Sequence, residues 1–148
     1  MDSATLHPAV VTGYLKTELD QSRIAGPFTT SIVQGGHTSR FGVIPKHQTN
    51  KWRLIVDLSH PTGHSVNDGI PKSLCSVKYI TIDYAIEQVL MLGPGTLMAK
   101  IDVKSAFRLL PVHPADRHLL QMKWDNLIFT DACLPFGLLS APRLYLTF

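Results

Sequence analysis

The sequence predicts an α+β domain, and three observations carry that expectation. Two stretches show apolar residues at helical spacing, and two pairs of β-leaning runs flank short turn segments. Together with a short apolar strand, they run helix, hairpin, helix, strand, hairpin, helix, an order that fits α+β better than a repeating βαβ sheet. The 148 residues suit one domain, and 45% apolar against 17% charged residues can build a core and excludes disorder throughout.

The first helix is expected over Thr12–Ile24, where Tyr14, Leu15, Leu19 and Ile24 are interleaved with Lys16, Glu18, Asp20 and Arg23; Gly26-Pro27 is read as its stop. Thr29–Thr38, with Gly35-Gly36 and no period, reads as a loop. Arg40–Ile44 and Trp52–Val56 form a hairpin whose turn, Pro45–Lys51, is basic and exposed. Along its second strand Trp52, Leu54 and Val56 share one face, with Arg53 and Ile55 on the other. His60–Ser73 is a loop broken by Pro61, Gly63, Gly69 and Pro71. Thr81–Leu92 is the second helix, its apolar stripe made by Ile82, Ala85, Ile86, Val89 and Leu90 and its end by Gly93-Pro94-Gly95. Leu97–Ile101 is apolar on both faces, as a central strand requires, and runs directly into Asp102. Leu119–Trp124 and Leu127–Ala132 pair across Asp125-Asn126, and Ser140 caps a last helix with Pro142 in its first turn.

No apolar run approaches the ~18–20 residues that span a bilayer, and the first residues lack the pattern of a signal peptide. Cys75 and Cys133 are far short of a disulfide scaffold. The expectation is a reduced, intracellular chain of cytoplasm or nucleus, neither secreted nor in a membrane. Net charge is only +3, but no acidic residue falls between Asp20 and Asp57, while Arg23, Arg40, Lys46, Lys51 and Arg53 do. Such a block fits an anionic partner, nucleotide or nucleic acid, although a solvated basic face accounts for the charge alone.

Asp102 is the most informative position. An acid directly after an apolar strand is held by a rigid element, as a metal ligand must be, and nearby backbone carbonyls add the oxygens that Mg²⁺ prefers. Taken alone, a strand-end aspartate capping the next turn is the better explanation. Lys46 at the hairpin tip and Arg53 on the returning strand offer a mobile point charge and a planar fork for phosphate. Phe136 offers a stacking face, and Gly137 permits close backbone approach. His60 and His64 are separated by proline and glycine and cannot form a helical metal pair; Gly93-Pro94-Gly95 lacks the Gly-Lys-Ser/Thr of a phosphate loop.

Three blocks, in order, resemble the opening motifs of a retroelement reverse transcriptase. They are Phe41-Gly42-Val43-Ile44-Pro45-Lys46 with Lys51-Trp52-Arg53-Leu54-Ile55-Val56-Asp57-Leu58; Ala99-Lys100-Ile101-Asp102-Val103-Lys104-Ser105-Ala106-Phe107; and Leu134-Pro135-Phe136-Gly137-Leu138 with Ala141-Pro142. The similarity runs from about Tyr14 to Tyr145 and is nearest to gypsy-like and DIRS-like retrotransposon polymerases. It implies the fingers and partial palm of a right-hand polymerase, with residues 12–95 fingers-like and 96–148 the start of the palm plus the second hairpin. It implies further that Lys46 and Arg53 bind the triphosphate of the incoming nucleotide. Asp102 is then the first catalytic, metal-binding aspartate, and Val103 contributes its carbonyl to the metal. Phe107 is then the aromatic gate against a ribose 2′-hydroxyl, and Phe136 and Gly137 lie beside the nucleotide. The cofactor implied is Mg²⁺, and the partners are an RNA or DNA template-primer and deoxynucleotides.

The family's other two catalytic aspartates stand in a Tyr-x-Asp-Asp hairpin downstream of the third block, and no Asp-Asp pair occurs before Phe148. Holding one of three aspartates, the chain is expected to bind Mg²⁺ weakly or not at all and to be inactive by itself. A non-catalytic nucleic-acid or nucleotide-binding module and a non-functional retroelement relic are the alternatives.

Overall fold

The computed structural model describes residues 2–31, 35–47 and 49–147. Ile32, Val33 and Gln34 of the expected loop, Gln48 of the hairpin tip and Phe148 lie outside the described residues. The fold is mixed α and β around one five-stranded sheet.

A short helix α1 (Asp2–Leu6) precedes α2 (Pro8–Asp20), whose first-turn proline costs nothing because its N–H would have no helical partner. The helix ends earlier than the spacing of apolar residues predicts. Ser22 adopts a left-handed φ of 55°, the Arg23 amide donates to the Glu18 carbonyl, and Ile24 already belongs to β1 (Ile24–Phe28). Gly26 and Pro27 therefore sit within a strand and stop no helix. Gly26 has φ +131°, and a Cβ there would lie 2.9 Å from the Ile128 carbonyl, so the residue is required by close pairing with β5. Pro27 is tolerated because β1 is an edge strand.

β2 (Thr38–Pro45) and β3 (Trp52–Asp57) form the expected first hairpin, in register from Arg40 opposite Asp57 to Pro45 opposite Trp52. β4 (Gln121–Trp124) and β5 (Leu127–Asp131) form the second across Asp125 and Asn126, both at positive φ as a tight primed turn demands. The two hairpins join through a parallel contact of β2 with β4, Thr38 against Gln121 and Ser39 against Met122, which gives the order β1-β5-β4-β2-β3.

One face of this sheet is covered by α1 and α2. Val11, Leu15, Ile24, Phe41, Val43, Met122 and Phe129 are buried there, with Leu54 and Val56 packed against them. Trp52, at the exposed end of β3, stacks on His7 between α1 and α2, ring centroids 3.8 Å apart. A second cluster gathers Leu58, Val112, Leu120, Leu134 and Ala141, the last opening helix α4 (Ala141–Thr147).

In the middle of the chain one expectation holds and one fails. Helix α3 (Ile82–Leu92) forms, capped by the Thr81 side chain, but its apolar stripe is not covered: none of its residues is buried, and Ile82, Ile86 and Leu90 are exposed. Residues 97–101 form no strand, and Leu97 and Ile101 are 96% and 88% exposed. A strand apolar on both faces needs a neighbour on each side and cover above and below. The described strands pair only with one another and supply none of these. Among the described residues no helix is long and apolar enough to cross a membrane.

Candidate functional site

The first wall of the site is β3, where alternation leaves Arg53 exposed while Leu54 and Val56 turn toward the core. The second wall is the turn Pro135–Gly137, and Tyr14 of α2 completes a cleft of about 520 Å³. Gly137 takes φ +96°, and a Cβ there would stand 3.5 Å from the Val56 carbonyl, so the two walls meet through backbone. Burial drives the Tyr14 phenol far above its ordinary pKa and keeps it neutral.

The turn is held from behind by Asn67. Its side-chain amide donates to the Gly137 carbonyl and to Ser59 Oγ, both at 2.9 Å, and its Oδ1 accepts from the Leu139 amide at 3.0 Å. The sequence places Asn67 only within the loop His60–Ser73, so this clamp across 70 residues had no local signal. Phe136 meets Phe107 with ring centroids 5.4 Å apart, and Phe107 meets Tyr145 at 5.8 Å. Phe107 is thus partly buried against the second core cluster while touching a wall of the cleft.

Beneath the aromatic pair lies a buried ion cluster that sequence reading missed entirely. Arg108, 3% exposed, donates from Nε and Nη2 to Glu18 Oε2 at 3.0 and 2.7 Å and from Nη1 to Asp131. It also donates to the carbonyls of Cys133 and Arg23, and Arg23 approaches Glu18 at 3.6 Å. Burial works against the Arg108 charge, but the surrounding negative groups more than offset it and hold its pKa up.

No protein-family model and no curated protein matches the chain. Solved structures do. The foamy viral protease-reverse transcriptase dRH in complex with double-stranded DNA superposes with a TM-score of 0.62 at 18% identity, over 95% of this chain and 21% of that one. The fold is reverse-transcriptase-like. Native prototype foamy virus protease-reverse transcriptase agrees, with a TM-score of 0.60 at 19% identity over 90% of this chain and 16% of that one. The chain thus spans about a fifth or less of these two proteins' lengths.

On this reverse-transcriptase-like fold, Arg53, Phe136 and Gly137 come together in one cleft, with Phe107 stacked behind it. Lys46 does not line the cleft; it is exposed at the hairpin tip, where its amide donates to the Lys51 carbonyl at 2.8 Å. Asp102 and Val103 are exposed in an irregular segment and do not line it either. Among the described residues no three histidine, cysteine, aspartate or glutamate side chains gather as a metal site. One exposed carboxylate does not meet the donor set that two Mg²⁺ ions require.

The ion cluster of the reverse-transcriptase-like fold carries a pH signature. Burial pushes the Asp131 carboxyl up to about 6, against the opposing pull of Arg108. The native state therefore holds a proton that the unfolded chain has already released, so stability from this group is full below about pH 4 and is lost as pH rises toward 6. The expected loss is about 1–3 kcal/mol. Urea midpoints between pH 4 and 7 measure it against Asp131→Asn, which removes this component. Equal pH slopes in the two proteins would show that Asp131 titrates normally.

Proposed function

We propose that this chain is the fingers and first palm segment of a retrotransposon reverse transcriptase, gypsy-like or DIRS-like, which binds nucleic acid and nucleotide within a longer RNA-directed DNA polymerase. The observation that carries the reading is convergence: Arg53 of the first motif block and Phe136-Gly137 of the third meet in one cleft, and Phe107 of the second packs on Phe136. In this reading the Arg53 guanidinium binds phosphate, Phe136 gives an aromatic face to base or sugar, and Gly137 lets the ligand approach backbone. Lys46 reaches phosphate from the exposed hairpin tip as a point charge. The division into fingers at 12–95 and palm from 96 belongs to this proposal, as does an intracellular setting. The likeness to a reverse transcriptase structure with double-stranded DNA supports a nucleic-acid partner.

Asp102 is assigned as the first metal-binding aspartate of the longer enzyme, with the Val103 carbonyl beside it. The described residues do not complete a two-cation site, so no chemical step is assigned to them. The exposure of Asp102, with no cluster of three metal-ligating side chains among the described residues, favours a second reading, a non-catalytic nucleic-acid-binding module, for the chain taken by itself.

The test titrates the purified chain with a primer-template duplex at several salt concentrations and assays primer extension alongside. The expected result is salt-dependent binding with no incorporation. Lys46→Ala and Arg53→Ala should each weaken binding and lower the salt slope by roughly one released counterion. Binding that ignores both substitutions, or no binding at all, would remove the proposal and leave the relic alternative. Sustained template-dependent synthesis would instead reveal metal ligands beyond Asp102.

A further inference from the structure

We infer that Arg108 is the positioning residue that sets the Phe107–Phe136 pair behind the Arg53 cleft, and through that pair the cleft's choice between deoxyribose and ribose. The inference rests on the nucleotide-binding reading above and names a residue none of the three motif roles includes.

Phe107 and Arg108 are neighbours in the 3-10 turn Ala106–Leu109, which the chain enters through Ser105 in the left-handed conformation, φ 56° and ψ 40°. A non-glycine residue held there needs support from its surroundings. Arg108 supplies it with five hydrogen bonds that point the side chain away from the cleft and into the protein. Anchoring Arg108 fixes the direction in which the preceding residue leaves the turn, and that residue is Phe107.

The same guanidinium controls the other ring. Its Nη1 donates to the Cys133 carbonyl at 3.2 Å, and Cys133 lies three residues before Phe136 in the turn that forms a cleft wall. Asp131, bound to the same nitrogen, ends β5 immediately upstream. One planar fork therefore sets where Phe107 begins and where the Phe136 turn begins. Glu18 holds the other side of that fork from α2, the helix that brings Tyr14 to the cleft. An aromatic pair discriminates a sugar by bulk only if its rings hold their place, and small displacements of a positioned group have large consequences.

The test uses near-isosteric changes that loosen the fork without emptying the core. Wild type, Asp131→Asn and Glu18→Gln are compared for their Kd toward dATP and ATP with Mg²⁺ present. ¹⁹F NMR of the fluorophenylalanine-labelled chain follows the Phe107 and Phe136 rings. Wild type should prefer dATP. In the variants that preference should fall roughly three- to tenfold, dATP affinity should change less than about twofold, and both ring signals should shift or broaden. Glu18→Gln supplies the same reading if Asp131→Asn lowers the folded fraction. A folded variant that keeps the wild-type preference and ring signals overturns the positioning role alone. Wild type that binds both nucleotides equally also overturns it while leaving nucleotide binding standing. Wild type that binds neither overturns both readings.

Discussion

Replacing Arg108 with alanine should destabilise the chain by about 3–5 kcal/mol, because it strands the Glu18 and Asp131 carboxylates in a site where each is almost fully buried. A domain of this size has about 5–15 kcal/mol in total, so the variant should unfold at much lower urea or fail to accumulate. The loss comes from uncompensated charge more than from missing contacts. The triple variant Glu18→Gln, Arg108→Met, Asp131→Asn should therefore recover a large part of it. Chemical denaturation of both proteins at pH 7 decides the matter. A single variant within about 1 kcal/mol of wild type would mean that water reaches the carboxylates and that the cluster is not closed.

Asn67→Ala should cost about 2–3 kcal/mol. The substitution removes three hydrogen bonds and leaves the Gly137 carbonyl and the Leu139 amide without their partner. Asn67 is itself buried, but Gly137 and Leu139 are exposed, so the cost is that of the lost bonds and not of polar groups stranded away from water. The effect should also be local before it is global. The Leu139 amide should exchange with solvent faster than the β4–β5 ladder, since the turn that forms a cleft wall has lost its tether. Hydrogen exchange at single-residue resolution separates this from general unfolding. Uniform acceleration across the sheet would show that Asn67 supports the whole fold and has no particular hold on the turn.

These two residues mark where the sequence stops being informative. The hairpins were legible because their causes are local: Asp125-Asn126 fits a primed turn by its own conformational preference, and β3 separates Leu54 and Val56 from Arg53 by a period of two. Arg108 stands in an apolar run and meets partners 90 and 23 residues away, and nothing in its neighbours announces that pairing. Helix α3 shows a different limit. Its spacing correctly predicts the helix and the stripe, but a period records which residues share a face and not what covers them. Residues 97–101 fail similarly, because a strand exists only through its neighbours. The end of α2 was misplaced since Ile24 continues the apolar spacing by chance while its backbone already pairs with Asp131.

Of the candidate site, the part on rigid elements was legible and the part on irregular backbone was not. Arg53, Phe136 and Gly137 converge because β3 and the Asn67-clamped turn hold them. Lys46 and Asp102 have the expected chemistry, but the exposed backbone around them leaves both outside the cleft.

The parallel contact of β2 with β4 has a kinetic consequence. Each hairpin can zip up by itself within microseconds, since its strands are joined by a short turn. Joining them brings Thr38 beside Gln121, a closure of 83 residues counted along the chain. Closing so long a loop loses chain entropy before any contact compensates for it, and sheets dominated by such distant pairings are the slow class of folders. The rate-limiting event in folding should accordingly be the meeting of two finished hairpins, with Ser39 and Met122 at the point of first contact. Substitutions there should slow refolding, whereas changes at the Asp125-Asn126 turn should act mainly on how early the second hairpin is ready.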